Sequence, residues 1–96
     1  RRGNNMDKNI SSYNAAAEIL KVLAHPARLC IVRGLLKKGE CNVSYMTECM
    51  NCPQSTMSQH LQKLKSAGII AGRREGTEIY YRVCNEKAAE IIKILF

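Results

Sequence analysis

Apolar residues between positions 11 and 68 recur at helical spacing, and turn residues interrupt them at regular intervals. Ala16, Ile19, Leu20 and Leu23 form one face of a first helix, with Ser11 or Ser12 placed to cap it. Pro26 suits the first turn of a second helix, because that position needs no N–H. Leu29, Val32, Leu35 and Leu36 make its stripe, and Gly39 ends it. A short third helix follows, capped by Asn42 or Ser44. After the tight turn at 51–53, Pro53 opens a fourth helix at or near its first position. Met57, Leu61 and Leu64 line that helix at i, i+4 and i+7, and it stops at Gly68.

The period then changes. β-Branched and aromatic residues flank Glu75-Gly76-Thr77 within 69–83, the signature of a hairpin in which Gly76 supplies a positive φ. A fifth helix is expected after Asn85, its cap. The predicted fold is mainly α with a small β-hairpin: four helices, two strands and a last helix, in winged helix-turn-helix order. Residues 11–96 make this single domain. Residues 1–10 read as a flexible arm or a cloning remnant.

The fourth helix has an unusual polar face. Opposite its apolar stripe stand Gln54, Ser55, Thr56, Ser58, Gln59, Gln62 and Lys63, where a solvated helix usually carries Glu and Lys. Helix propensity does not favour Ser and Thr here. Hydroxyls and amides both donate and accept hydrogen bonds, as base edges require. Gln54, Ser55, Thr56, Ser58 and Gln59 are therefore candidate base contacts, and Lys63, Lys65, Arg73 and Arg74 candidate phosphate contacts. His60 lies among them, suited to packing or to a phosphate.

Charge agrees with that direction. The 96 residues carry 15 Lys plus Arg against 8 Asp plus Glu, a formal +7. A basic surface gains free energy by displacing counterions from double-stranded DNA. No apolar run approaches the ~20 residues of a membrane span. Five cysteines, an odd number, do not suggest a secreted disulfide framework. The expectation is a cytoplasmic chain without a cofactor. The last helix is apolar around more than one stripe, beyond what so small a domain can bury. Its residues Ala88, Ile91, Ile92 and Leu95 are expected to form a homodimer interface.

Several segments resemble one known family. "LAHPARLCIV", "QSTMSQHLQKLKSAGII" and "RREGTEIYYRV" are similar to the ArsR/SmtB family of bacterial winged-helix repressors, over about 20–83. The S-x-x-S-x-H-L pattern at Ser55, Ser58, His60 and Leu61 and the wing's R-R-E-G carry the likeness. "PQSTMSQHL", "EIYY" and "IIKIL" look closest to the PagR-like branch. The resemblance implies a homodimer binding an inverted-repeat operator through helix 53–67 and wing 69–83, with the first helix, through Leu20 and Leu23, and the last helix at the dimer interface.

The family's metal positions are not matched. Asn42, Val43 and Ser44 stand where one branch has Cys-Val-Cys. The last helix offers Glu86 and Glu90 without the histidines of another branch. The expected metal ligands are therefore none. Cys49 and Cys52 are spaced C-x-x-C, yet occupy apolar positions of the family, so core filling competes with a redox or metal pair. Cys30 and Cys84 fall at polar positions and are the candidate sensing thiols, although Arg33 stands where a sensing thiol is expected.

Three functions fit to different degrees. A thiol oxidoreductase would need a strand-then-helix context around Cys49 and Cys52, which is missing. A protein-binding winged helix would show an acidic or apolar face on the fourth helix. A sequence-specific transcriptional repressor accounts for the polar face, the basic hairpin and the charge together. Its inducer stays open between a thiol-reactive agent, a metal at a non-standard cysteine site, and none.

Overall fold

A computed structural model describes residues 9–96. Of the expected arm, residues 1–8 lie outside the described residues, while Asn9 and Ile10 belong to the domain. The elements are α1 (Ile10–Leu23), α2 (Pro26–Lys38), β1 (Cys41–Asn42), α3 (Val43–Met50), α4 (Gln54–Ser66), β2 (Ile70–Glu75), β3 (Glu78–Val83) and α5 (Glu86–Leu95).

Side chains that accept hydrogen bonds start four of the helices, satisfying N–H groups that have no partner inside the helix. Asn9, rather than Ser11 or Ser12, caps α1 and accepts from the Ser12 N–H. His25 Nδ1 accepts from the Ala27 N–H at 3.0 Å, with Pro26 opening α2. Asn42 and Asn85 cap α3 and α5, accepting from the N–H groups of Tyr45 at 2.8 Å and Ala88 at 3.0 Å. Pro53 precedes α4 without any side-chain cap. Gly39, at φ 90°, closes α2.

The sheet has three antiparallel strands in the order β1-β3-β2, one more than the expected hairpin. Cys41 pairs with Tyr81 and Asn42 with Tyr80. A two-residue strand has no periodicity to detect, which is why the sequence does not reveal it. In the β2–β3 hairpin, Glu75 pairs with Glu78 across the two-residue loop Gly76-Thr77. Gly76 has φ 66°, and Thr77 is not among the positive-φ residues, the pattern of a type II′ turn. Gly72 has a different reason: a Cβ there would lie 2.9 Å from the Tyr81 ring.

The core gathers Val32 and Leu35 of α2, Met57, Leu61 and Leu64 of α4, Ile69, Ile70, and Ala88 and Ile92 of α5. All three residues of the predicted α4 stripe are buried. The dimer-interface expectation needs correction at three positions. Leu23, Ala88 and Ile92 are fully committed to this chain's own core, so they cannot present a face to a partner. Leu20 and Leu95 are exposed and Ile91 is half-buried. Ala16, predicted to face inward, is exposed.

Candidate nucleic-acid interface

The polar face of α4 follows from how its apolar stripe is seated. At 100° per residue, Ser55, Ser58, Gln59 and Gln62 share one side of the helix (i, i+3, i+4, i+7), directly opposite Met57, Leu61 and Leu64. With the stripe in the core, the four polar residues are exposed. Gln54 and Lys65 flank this face on one side, Thr56 and Lys63 on the other; Thr56 is half-buried and the rest are exposed. Gln62 Nε2 donates to Ser66 Oγ at 3.2 Å within the helix. Ser55, Ser58 and Gln59 thus form a neutral patch of donors and acceptors between Lys63 and Lys65.

His60 does not join that patch. Its Nδ1 lies 3.1 Å from Arg28 Nη1, and its ring is 4.7 Å from that of His25. Arg28 Nε in turn donates to the Val22 carbonyl at 2.6 Å. Since Arg28 can only donate, Nδ1 accepts and His60 is held neutral. Burial, then the nearby His25, Arg28 and Lys63, push its pKa below the ordinary value of 6.5. The phosphate-contact expectation for His60 is therefore replaced by a joint between α4 and the α1–α2 corner.

Arg73 also departs from expectation. Its guanidinium makes two hydrogen bonds to Glu40, both at 2.8 Å, and one to Glu75 at 2.7 Å. It also lies 5.0 Å from the centre of the Tyr80 ring. These carboxylates raise the Arg73 pKa further, and Arg73 holds the Glu40 carboxyl below its usual range. Arg73 binds the wing to the α2–β1 connection, with three of its five N–H donors given to carboxylates of this chain. Arg74, next along β2 and on the opposite face of the hairpin, is exposed. Arg82, opposite Ala71, is an exposed wing cation that sequence reasoning missed, as it missed Arg28 and Glu40. Isolated charges with partners some thirty residues away leave no local pattern.

The cysteines separate into different surroundings. Cys41 is buried, and burial pushes its thiol pKa up. Cys49 is exposed and not a core residue, whereas Cys52 packs against the core with Sγ 3.6 Å from the Pro53 carbonyl. Cys84 sits at the wing base, its Sγ 3.5 Å from the Gly68 carbonyl. Cys30, on α2, lines a groove with Cys41 and Cys49.

A helix seated on the core with a neutral polar face outward, preceded by a short helix and followed by a cationic hairpin, defines a winged helix-turn-helix. A family of helix-turn-helix domains matches residues 23–73. The chain is 46% identical over 79 residues to the transcriptional repressor PagR of Bacillus anthracis, covering 82% of this chain and 79% of that protein. The PagR crystal structure superposes with a TM-score of 0.85 at 42% identity, covering 92% of this chain and 100% of that one. A homodimeric winged helix-turn-helix DNA-binding domain from Mycobacterium bovis superposes at 0.83 with 33% identity, covering 94% and 82% of the respective chains. The chain belongs to the ArsR/SmtB family of transcriptional regulators, close to PagR.

Proposed function

We propose that this chain is a homodimeric, sequence-specific transcriptional repressor that works by binding DNA and not by catalysis. The observation that carries the reading is the Ser55, Ser58 and Gln59 patch on α4, held outward by a fully buried stripe. Neutral side chains of this length read base edges in a major groove, while Lys63, Lys65, Arg74 and Arg82 meet phosphates. PagR, described as a transcriptional repressor, and the homodimeric domain from M. bovis support the same reading.

The two-copy assembly rests on exposed apolar surface. Ile10, Tyr13, Ala17 and Leu20 recur at i, i+3, i+7 and i+10 along α1, and all four are exposed. At the other end, Ile94, Leu95 and Phe96 are 81%, 58% and 60% exposed. So much unburied apolar surface on two helices fits a two-fold contact with a second copy. A two-fold dimer would read an inverted repeat with half-sites about one helical turn, ~10 bp, apart.

Selection from randomised duplexes, followed by footprinting and sedimentation, tests this. The expected result is an inverted repeat protected by two copies. Enrichment of no sequence, or a single asymmetric half-site bound by one copy, overturns it.

A further inference from the structure

Arg73 and Glu40 stand 33 residues apart in the chain, and the sheet brings them together. Arg73 of β2 pairs with Tyr80 of β3, which pairs in turn with Asn42 of β1. Glu40, two residues before Asn42, reaches the same face of the sheet as Arg73. Its carboxylate takes the guanidinium as a fork: Nε donates to Oε2 and Nη2 to Oε1, each at 2.8 Å. Glu75, next but one along β2, accepts from Nη1 at 2.7 Å. The guanidinium also lies 5.0 Å from the centre of the Tyr80 ring. A forked pair of charged groups is the strong and directional form of this contact.

A wing that meets DNA gains affinity from every free cation it carries. Here one of its three arginines faces two carboxylates, and Glu78, paired with Glu75, puts a third acid on the same face. Of the acids, Glu40 holds Arg73 most firmly. It makes two of the three hydrogen bonds, and its side chain is 33% exposed against 66% for Glu75. Arg73 first, and Arg82 after it, hold the Glu40 carboxyl below its usual range, so it is ionised at neutral pH. Folding stability is a weak reason for the arrangement, since solvent screens a pair in which the Arg73 side chain is 48% exposed.

We propose that Glu40 is a specificity-determining residue for DNA binding. By pairing with Arg73 it keeps that cation off phosphates and holds the wing at one pitch against the α2–β1 connection. The inference rests on the repressor reading above. A phosphate contact carries no sequence information, so a free arginine on the wing strengthens binding to every duplex. Specificity is a difference of two affinities, and it grows when the weaker one is suppressed. On a specific site α4 and the wing engage together, and a wing loosened from α2–β1 loses part of what the freed cation gains. On random DNA α4 has no matched bases to align with, so nothing offsets the gain.

The test compares Glu40→Gln with wild type on the selected duplex and on a random duplex, over a series of salt concentrations. Gln keeps the size and an acceptor but not the charge. Affinity for the random duplex should rise ~5–10-fold near 0.1 M salt, with a salt slope steeper by about one unit, as one added phosphate contact requires. Affinity for the selected duplex should rise less, so the ratio of the two falls. Adding Arg73→Gln to Glu40→Gln should abolish the gain, which assigns it to Arg73 and not to Arg82. Loss of a merely structural contact would weaken both complexes and leave the slope alone. Weaker or unchanged binding to the random duplex, an unchanged slope, or a gain that survives Arg73→Gln overturns the inference. Equal gains on the two duplexes overturn the specificity role. If Glu40→Gln fails to fold by circular dichroism, wild type decides by NMR: the Arg73 Nε–H signal should stay in place when random duplex is added, while that of Arg74 moves. Movement of both overturns the inference. A wild type that binds both duplexes alike overturns the repressor reading, while affinity and slope on the random duplex still judge the shielding of Arg73. A wild type that binds no duplex overturns both.

Discussion

The α4 helix and the wing carry their polar residues under opposite conditions. On α4, Ser55, Ser58 and Gln59 face outward because the other side of the helix is locked into the core. On the wing, Arg73 is held by two carboxylates, and its neighbour Arg74 is exposed. A long charged side chain reaches for any acid within range, whereas a short hydroxyl stays where the backbone puts it. Sequence order therefore predicts availability well for the helix and poorly for the hairpin.

The largest expected effect removes the cause of the helix's half of this contrast. Leu64 is fully buried under α4. Leu64→Ala should cost about 2–5 kcal/mol of stability, from lost burial and the cavity left behind. A urea-denaturation midpoint close to wild type would mean that the face of α4 is not fixed by its stripe.

Next comes the face itself. Ser58→Ala and Gln59→Ala should each weaken binding to the selected duplex by ~1–3 kcal/mol and random duplex much less, since base contacts carry discrimination. Equal losses on both duplexes would reduce α4 to a phosphate-binding helix. On the wing, Arg74→Ala should weaken binding across all sequences and lower the salt slope by about one unit. Arg73→Ala should lower the slope less than Arg74→Ala, because its charge is already paired with Glu40 and Glu75 through three of its five donors. A slope lowered equally by both substitutions would erase the distinction between the two arginines.

The parts legible in the sequence are those set by neighbours in the chain. The apolar stripe of α4, the cap Asn85, the cap of α3 (Asn42 of the two candidates Asn42 and Ser44) and the positive φ at Gly76 depend on spacings of a few residues, and all four agree with the structure. Apart from the α1 cap, where Asn9 takes the place expected of Ser11 or Ser12, what escaped depends on contacts across the fold. The Glu40–Arg73 pair spans 33 residues, as β1 and β3 meet across about forty. The apolar residues of α5 could be counted but not divided. Ala88 and Ile92 turn inward while Ile94, Leu95 and Phe96 remain exposed, and only the docking angle of the helix decides which. Ile92→Asp would accordingly unfold the chain rather than separate a dimer. Ile94 and Leu95 are the residues to alter if the dimer is the target.

The smallest expected effect concerns the one member of α4 that behaves like the wing. His60 is turned inward to Arg28, a partner 32 residues away, and its pKa lies below the ordinary imidazole value, through burial first and the neighbouring His25 second. The unfolded chain therefore takes up a proton at His60 at a higher pH than the folded one does. Stability from this joint is fully present above about pH 6.5, the ordinary imidazole value. It declines as the pH falls from there through the lower folded value. Protonation would place a cation against Arg28 and remove the lone pair that accepts its hydrogen bond. His60→Asn keeps an acceptor near the Nδ1 position without a titratable ring, so its stability should change less between pH 8 and pH 5 than that of wild type. Parallel pH profiles of the urea midpoint for the two proteins would mean that His60 does not couple α4 to the α1–α2 corner through its neutral form.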